Sequence, residues 1–361
     1  MKKVMAAVLA SAMALSMAAC GGAPKAETPA ETPAAETPAA EATQEAPAEA
    51  TQAPAEEVPE STAERITINV GYMPNYASLW ALETGINKGY FDNAGIDVQL
   101  TEFQDGPTII AAMESGSVDV GYIGPGAHKL CINGNAKIFS ISSLGDADWI
   151  IGGPDVKTLE DLKGKKVGYA SGTSSEDILK LGLDRAGLTM ADIEAVDMDA
   201  ASLVTSMLSG GVDACAAWSP STVKIMDEMP EATKLCSNVD FSETSVSPAS
   251  YIVLPKWVET REDDLRRFTK ALHEAMDYAA ADHYDEVAQW VADQCKIDYD
   301  TAYAQRSDGK WFSGEEIRAG IQDGSIEGYY KLQQDGLLAA GAVEKEVPVS
   351  EYVLFDIMAG N

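Results

Sequence analysis

The stretch LEDLKGKKVGYASGTSS, residues 159–175, decides the fold. Residues 159–164 are typical of one short helical turn that a glycine ends. The next residues, 165–168, predict a strand, and residues 171–175 follow as a loop that leads into a helix over 176–186. We therefore predict a strand that delivers a hydroxyl-rich loop to the first turn of a helix.

Strands and helices alternate on both sides of this stretch. Upstream, residues 66–72 and 96–100 alternate apolar and polar side chains and predict two strands, each followed by a helix. Downstream, residues 203–218 repeat helix, turn and strand, and the chain becomes mostly helical from Glu262 onward. Further short strands are predicted at 118–123, 137–143, 149–151 and 250–254. Two βα series joined in sequence imply an α/β protein with two lobes.

The N-terminus is typical of an export signal. Lys2 and Lys3 precede an apolar run over residues 4–17, and small residues lead to Cys20. This end is similar to the bacterial lipobox, so we expect 1–19 to be a lipoprotein signal peptide and Cys20 to carry the lipid that attaches the chain to the cell membrane. The alternative is an ordinary signal with an incidental cysteine.

Residues 20–64 consist mainly of Ala, Pro, Glu and Thr. Such a segment has too little apolar surface to form a core, and its prolines keep it extended. We interpret it as a disordered tether that holds a globular part away from the lipid. An indifferent disordered segment would have the same composition.

The charge of the chain excludes one large function class. Its 361 residues include 57 acidic and 26 basic side chains, which gives a net charge of -31. A nucleic-acid binder needs clustered Lys and Arg to neutralise phosphates, and no such cluster is present in the sequence. An acidic membrane surface would also repel the protein.

The histidines and the cysteines after Cys20 do not have the spacing of metal ligands, so we predict no metal and no cofactor. These residues are His128, His273, His283, Cys131, Cys215, Cys236 and Cys295. Free thiols are the favoured state, although a disulfide between Cys215 and Cys236 stays open. His273 and His283 are interpreted as structural or surface residues.

Three parts of the sequence resemble a known family. They are NVGY at 69–72 with GINKGYF at 85–91 and AGIDV at 94–98; a helix ending at Gly116 with VDVG at 118–121; and LEDLKGKKVG at 159–168 with GVDA at 211–214. The family comprises extracytoplasmic solute-binding proteins of ABC importers for nitrate, sulfonates, taurine and thiamin-precursor pyrimidines. The resemblance implies a type II periplasmic-binding-protein fold, with 65–155 and 248–361 in one α/β lobe, 156–247 in the other, and ligand between them.

Ligands of open α/β sheets bind beyond the carboxyl ends of the strands, at helix N-termini. This rule and the resemblance select five loops, which we expect to line the cleft. The candidate ligand-binding residues are Tyr72, Asn75, Tyr76, Gln104, Gly124, Pro125, Gly126, Ser171, Gly172, Thr173, Ser174, Ser175, Trp218 and Ser219.

Each loop also has a simpler explanation. Residues 171–175 bring four hydroxyls to a helix N-terminus, which favours an anion, but one of them could simply cap the helix. Asn75 could donate to a ligand or cap its own helix. Glycines 124 and 126 could allow close backbone approach or serve turn geometry alone.

Trp218-Ser219-Pro220 departs from the family pattern. Similar proteins often carry an acidic residue at the position of Ser219, where it can meet a ligand ammonium. Its absence argues against a taurine-like ligand, because a buried ammonium would lack a charge partner. Trp218 could stack on a flat ligand or be a core residue.

We therefore predict a monomeric, lipid-anchored binding protein rather than an enzyme. It would capture a small organic solute, sulfonate-like or heteroaromatic, by closing its lobes and deliver it to ABC permease subunits. The alternatives are a ligand sensor for a membrane receptor and a pyrimidine-synthesis-type enzyme on the same fold. The cysteine-rich motif that the resemblance associates with that enzyme is absent from the sequence.

Overall fold

The structure, a computed structural model, describes residues 64–360. Its strands are β1 (Ile66–Tyr72), β2 (Ile96–Glu102), β3 (Val120–Ile123), β4 (Lys137–Gly145), β5 (Trp149–Gly152), β6 (Lys166–Tyr169), β7 (Glu194–Asp197), β8 (Ala214–Ala217), β9 (Thr233–Ser237), β10 (Pro248–Val253) and β11 (Gly309–Trp311). Its helices are α1 (Tyr76–Asn87), α2 (Tyr90–Asn93), α3 (Gly106–Glu114), α4 (His128–Ile132), α5 (Ser174–Arg185), α6 (Ala200–Leu208), α7 (Ser221–Glu228), α8 (Pro255–Ala280), α9 (Tyr284–Cys295), α10 (Tyr299–Ala304), α11 (Gly314–Asp323), α12 (Ser325–Ala339), α13 (Val349–Tyr352) and α14 (Phe355–Met358). The predicted signal, Cys20 and the tether up to residue 63 lie outside the described residues.

The strands form two sheets, which confirms the prediction of two α/β lobes. The first has the order β11-β4-β10-β3-β1-β2 and the second the order β7-β6-β8-β5-β9. In the first, β1 pairs in parallel with β2 and β3, whereas β10 is antiparallel to β3 and β4. In the second, β6 pairs in parallel with β7 and β8. The parallel strands of each sheet end at one edge, as the site prediction requires.

The first crossing between the lobes comes earlier than the sequence indicates. Strand β5 pairs with β8 and β9 in the second sheet, where it is antiparallel to both. Its apolar residues belong to the core of the second lobe, so the chain crosses at 146–148 and not at the expected boundary after residue 155. It returns at 245–247, just before β10 and next to the expected boundary after residue 247.

Side-chain caps fix the helices that begin beside the strand ends. Asn75 caps α1 by accepting a hydrogen bond from the Ser78 amide, and Asp105 caps α3 by accepting from Thr108. Thr173 caps α5 by accepting from Ser175. These caps satisfy amides that a helix start leaves unpaired, and they hold three helix N-termini at the edges where the parallel strands end.

The late helices complete the first lobe. Leu265, Phe268, Leu272 and Met276 of α8 are fully buried in its core. None of the helices in residues 64–360 is both long and apolar enough to cross a membrane.

The two cysteines that could have formed a disulfide are free. Cys215 lies on β8 and Cys236 on β9, with β5 between them in the sheet. The two side chains also belong to different apolar clusters of the second lobe.

Candidate functional site

A cavity of about 730 Å³, part of which opens to solvent, lies between the lobes. Loops after β1, β2, β3, β6 and β8 line it, together with both crossovers and the segment around β11. The candidate residues that line it are Asn75, Gly124, Pro125, Gly126, Thr173, Ser174, Trp218 and Ser219. The structure therefore brings all five expected loops together; a role in ligand binding stays a prediction for each residue.

The two candidate tyrosines do not line the cavity. Tyr72 is buried, and its hydroxyl accepts a hydrogen bond from Gln294 Nε2 at 2.9 Å. Tyr76 is fully buried, with its ring 5.2 Å from that of Trp311, which does line the cavity. Tyr76 thus supports the wall from behind. Gln104 is exposed and does not line the cavity, although the next residue, Asp105, does.

Most hydrogen-bonding groups of the hydroxyl-rich loop have partners in the same lobe. The Ser171 amide donates to the Asp197 carboxylate at 2.9 Å, and the Gly172 amide donates to Glu176 at 2.7 Å. Ser175 is buried, and its hydroxyl donates to the Ala216 carbonyl at 2.7 Å. None of these three residues lines the cavity. Only Thr173 and Ser174, in the middle of the loop, do so.

The middle of this loop has local partners as well. Thr173 Oγ1 accepts from the Ser175 amide at 3.2 Å and donates to the Ala170 carbonyl at 2.8 Å. Ser174 Oγ donates to Asp148 Oδ1. Capping, the simpler explanation for the hydroxyls, is what Thr173 does; Asn75 likewise accepts from Ser78.

The cavity also contains carboxylates that sequence reasoning missed, Asp105, Asp148 and Asp308. Asp148 is only 7 % exposed. Burial raises its pKa to about 7 against the opposing hydrogen bond from Ser174. Burial also raises the pKa of Asp308 to about 6, against the opposing effect of the Ser219 hydroxyl.

Little in the sequence pointed to this pair. Asp148 lies in the first crossover and Asp308 just before β11, so only the fold places them at one cavity. The loop that contains Gln104 is predicted to line the cavity, and it does so through its next residue, Asp105.

Aromatic rings form part of the wall. Trp218 was expected, whereas Tyr122 of β3 and Trp311 of β11 were not. Tyr122 packs edge-on against Tyr251, with ring centroids 5.4 Å apart, and Trp311 packs against Trp80 at 5.5 Å. Such packing fixes the rings in place, so the wall offers preformed apolar faces to a flat ligand.

The lobes touch closely at Gly126. A Cβ atom on this residue would lie 2.1 Å from the Thr173 carbonyl carbon and 2.2 Å from the Ser174 amide nitrogen. Only glycine allows this approach of two backbones. The alternative that Gly126 serves turn geometry alone therefore does not describe this contact.

An ion pair also joins the lobes. Lys129 Nζ of α4 lies 3.9 Å from Glu176 Oε2 of α5, and both side chains are 17 % exposed. Burial alone would raise the pKa of Glu176, but hydrogen bonds from Lys180 and the Gly172 amide and the charge of Lys129 bring it below its ordinary value. Glu176 is therefore ionised at neutral pH.

His128 supports the cavity loop from behind. Its Nδ1 lies 2.7 Å from Gln333 Oε1, and Gln333 Nε2 donates to the Pro125 carbonyl at 2.9 Å. Burial lowers the pKa of His128 to about 4, so its ring is neutral.

His273 is also buried, and its ring is hydrogen-bonded to the Ser140 hydroxyl. Within residues 64–360 no cluster of three or more His, Cys, Asp or Glu side chains could hold a metal ion.

Comparison with known proteins gives consistent matches. The NMT1/THI5-like family model matches residues 80–285. A candidate binding protein of Brucella abortus (strain 2308) is 31% identical over 294 residues, which are 81% of this chain and 92% of that protein. A candidate aliphatic sulfonates-binding protein of Bacillus subtilis is 27% identical over 61% of this chain and 68% of its own.

Solved structures share the fold. The alkanesulfonate-binding protein SsuA of Xanthomonas axonopodis pv. citri, bound to MOPS, superimposes with a TM-score of 0.60 at 20% identity over 81% of this chain and 99% of that one. The desulfurization enzyme DSZB has a TM-score of 0.56 at 17% identity, with coverage of 81% and 98%. The fold therefore occurs in both binding proteins and an enzyme.

Proposed function

Because the chain belongs to the NMT1/THI5-like family, we propose that it is the extracytoplasmic solute-binding component of an ABC importer. It is anchored through lipid on Cys20, captures a small organic solute between its lobes, and delivers that solute to the permease. The fold shared with SsuA and the cavity between the lobes support this proposal.

The observation that carries the proposal is a cavity walled by both lobes. The first lobe contributes Gly124 and Trp311, and the second contributes Thr173 and Trp218. A solute that contacts both walls binds the closed arrangement more tightly than an open one, and this difference in affinity drives closure.

The crossovers form a hinge that suits such a motion. The Asn238 side-chain amide donates to the Gly145 carbonyl at 2.7 Å and to Ser247 Oγ at 3.0 Å. One residue of the second lobe thus bridges the end of β4 and the returning crossover. In domain closure of this kind, a few residues of the connecting segments undergo the change in backbone dihedral angles.

We propose binding rather than catalysis because several polar side chains of the lining already have structural partners. Asn75 and Thr173 cap helices, and Ser174 donates to Asp148. The cavity is therefore preorganised to hold a solute, as in a binding protein.

Lys129→Gln should weaken solute binding about fivefold, because the closed state loses a partly buried ion pair of about 1 kcal/mol. Lys180→Gln is the matched control. Lys180 contacts the same Glu176, at 2.6 Å, but within α5. Titration calorimetry of both variants with a solute that binds the unaltered chain tests this. Equal losses of affinity would show that the pair between the lobes has no special role.

Cys20→Ala should release the full chain from the membrane fraction, because it removes the residue that carries the lipid. Fractionation with an antibody to the globular part measures this release. Cys295→Ala, which alters a free thiol of the first lobe, should stay with the membrane. Persistence of the Cys20→Ala chain in the membrane would contradict lipid anchoring.

A further inference from the structure

The charges around the cavity have one sign. Its lining contains the carboxylates of Asp105, Asp148 and Asp308, and none of the described residues that line it is Lys, Arg or His. An oxyanion held here would face like charges without a compensating cation, at a high electrostatic cost.

The loop before α5, which could have offered donors to an anion, is largely occupied by carboxylates of the protein. Glu176 already accepts the Gly172 amide, Asp197 accepts the Ser171 amide, and the Ser174 hydroxyl is directed to Asp148. Carboxylates of the protein therefore already use two amides and one hydroxyl of this loop, which leaves fewer donors for an oxyanion.

Asp148, which is buried, and Asp308, which is half-buried, have acidic neighbours. The charges that act on Asp148 come from Asp177, Asp308 and Asp146, and each raises its pKa. Asp146 likewise raises the pKa of Asp308. A positive charge placed between these groups would relieve their repulsion.

Two further features point to a ligand at the same place. The Ser219 hydroxyl lines the cavity at 6 % exposure without a hydrogen bond of normal geometry, although it is near enough to affect Asp308. Aromatic faces from Tyr122, Trp218 and Trp311 enclose the cavity. Such faces attract a cation as well as a flat apolar group.

We infer that the solute is a small organic cation with a flat body and N–H donors, of the amidinium or protonated amine class, held between Asp148 and Asp308. This inference rests on the proposed function and narrows its solute class. The cation class is an alternative to the sulfonate-like class, which the similarity to sulfonate-binding proteins supports. It removes the objection raised by Ser219, because Asp148 and Asp308 supply the charge partner that this position lacks. The net charge of -31 would also attract a cation to the protein.

The test compares four compounds of similar shape but different charge: benzamidine, benzamide, benzoate and benzenesulfonate. Each is titrated calorimetrically into the full chain at pH 8. Benzamidine should bind at least tenfold more tightly than benzamide, and the two anions should not bind measurably. Its affinity should rise from pH 5 to pH 8, because protons compete with it for Asp148 and Asp308. Asp148→Asn and Asp308→Asn should each lower this affinity at least tenfold, whereas the exposed Asp161→Asn should not change it.

Other outcomes separate this inference from the proposed function. Binding of benzoate or benzenesulfonate that Lys129→Gln weakens would overturn the cation class and leave a closing binding protein. Failure of all four probes would overturn the cation class as well. The proposed function would fall too if chain purified from its native host also retained no solute.

Discussion

Gly126→Ala should prevent closure of the lobes and reduce solute affinity at least 100-fold. The new methyl group would lie 2.1 Å and 2.2 Å from backbone atoms of the second lobe, far inside van der Waals contact. Neither backbone can yield without separating the lobes. Because apparent affinity falls with the population of the binding-competent state, a closed fraction of about 1% gives this loss.

Two measurements distinguish blocked closure from misfolding. Gly328→Ala adds the same methyl group at an exposed helical position where it would meet nothing within 4 Å, and this variant should bind normally. The Gly126→Ala chain should keep its circular dichroism spectrum and cooperative unfolding, while the distance between labels on the two lobes should no longer shorten when solute is added. Unchanged affinity would mean that closure does not require this contact.

Asp148→Asn should make the solute-free protein more stable at pH 8. Burial raises the pKa of Asp148 from 3.8 to about 7. The wild-type chain therefore loses stability as the pH rises from about 4 through 7, where the folded state must ionise a buried carboxyl. The loss is at most about 4 kcal/mol, at about 1.4 kcal/mol per pKa unit, and asparagine avoids it while still accepting the hydrogen bond from Ser174.

Urea unfolding at pH 4 and pH 8, on chain freed of solute by unfolding and refolding, measures this difference. The variant's gain should be small at pH 4, close to the ordinary pKa of 3.8, because the folded carboxyl is protonated there and the unfolded one is only about half ionised. Asp161→Asn provides a control of opposite sign. Hydrogen bonds from the Lys157 and Thr158 amides lower the pKa of that exposed carboxyl, so its removal should reduce stability at pH 8. A gain for Asp148→Asn that is equal at both pH values would contradict the account.

The sequence predicted the fold where local pattern and chain order suffice. Residues 159–175 do form a strand, a capped loop and a helix, and the alternation around them predicted both lobes. The predicted lobe boundary after residue 155 lies too late in the chain, because the sequence does not show which sheet a short apolar strand joins. The pairing of β5 with β8 and β9 places that strand in the second sheet.

The sequence predicts which loops form the site, but not which chemical groups these loops offer to a ligand. Thr173 and Ser174 belong to the expected loop, yet their partners determine that it caps a helix and binds a carboxylate instead of offering free donors. Asp148 and Asp308 are 160 positions apart in the sequence, and only the fold places both at one cavity. Periodicity and capping patterns carry no information about such a pair.

Closure over a cationic solute is tested most directly by identifying the small molecule that the full chain retains. Chain purified from its native host without refolding would be denatured, and the released small molecules analysed by mass spectrometry beside Gly126→Ala material. We expect one compound that is positively charged at neutral pH, in nearly stoichiometric amount, and depleted in the variant. A sulfonate or other anion in that amount, or equal retention by both proteins, would contradict it.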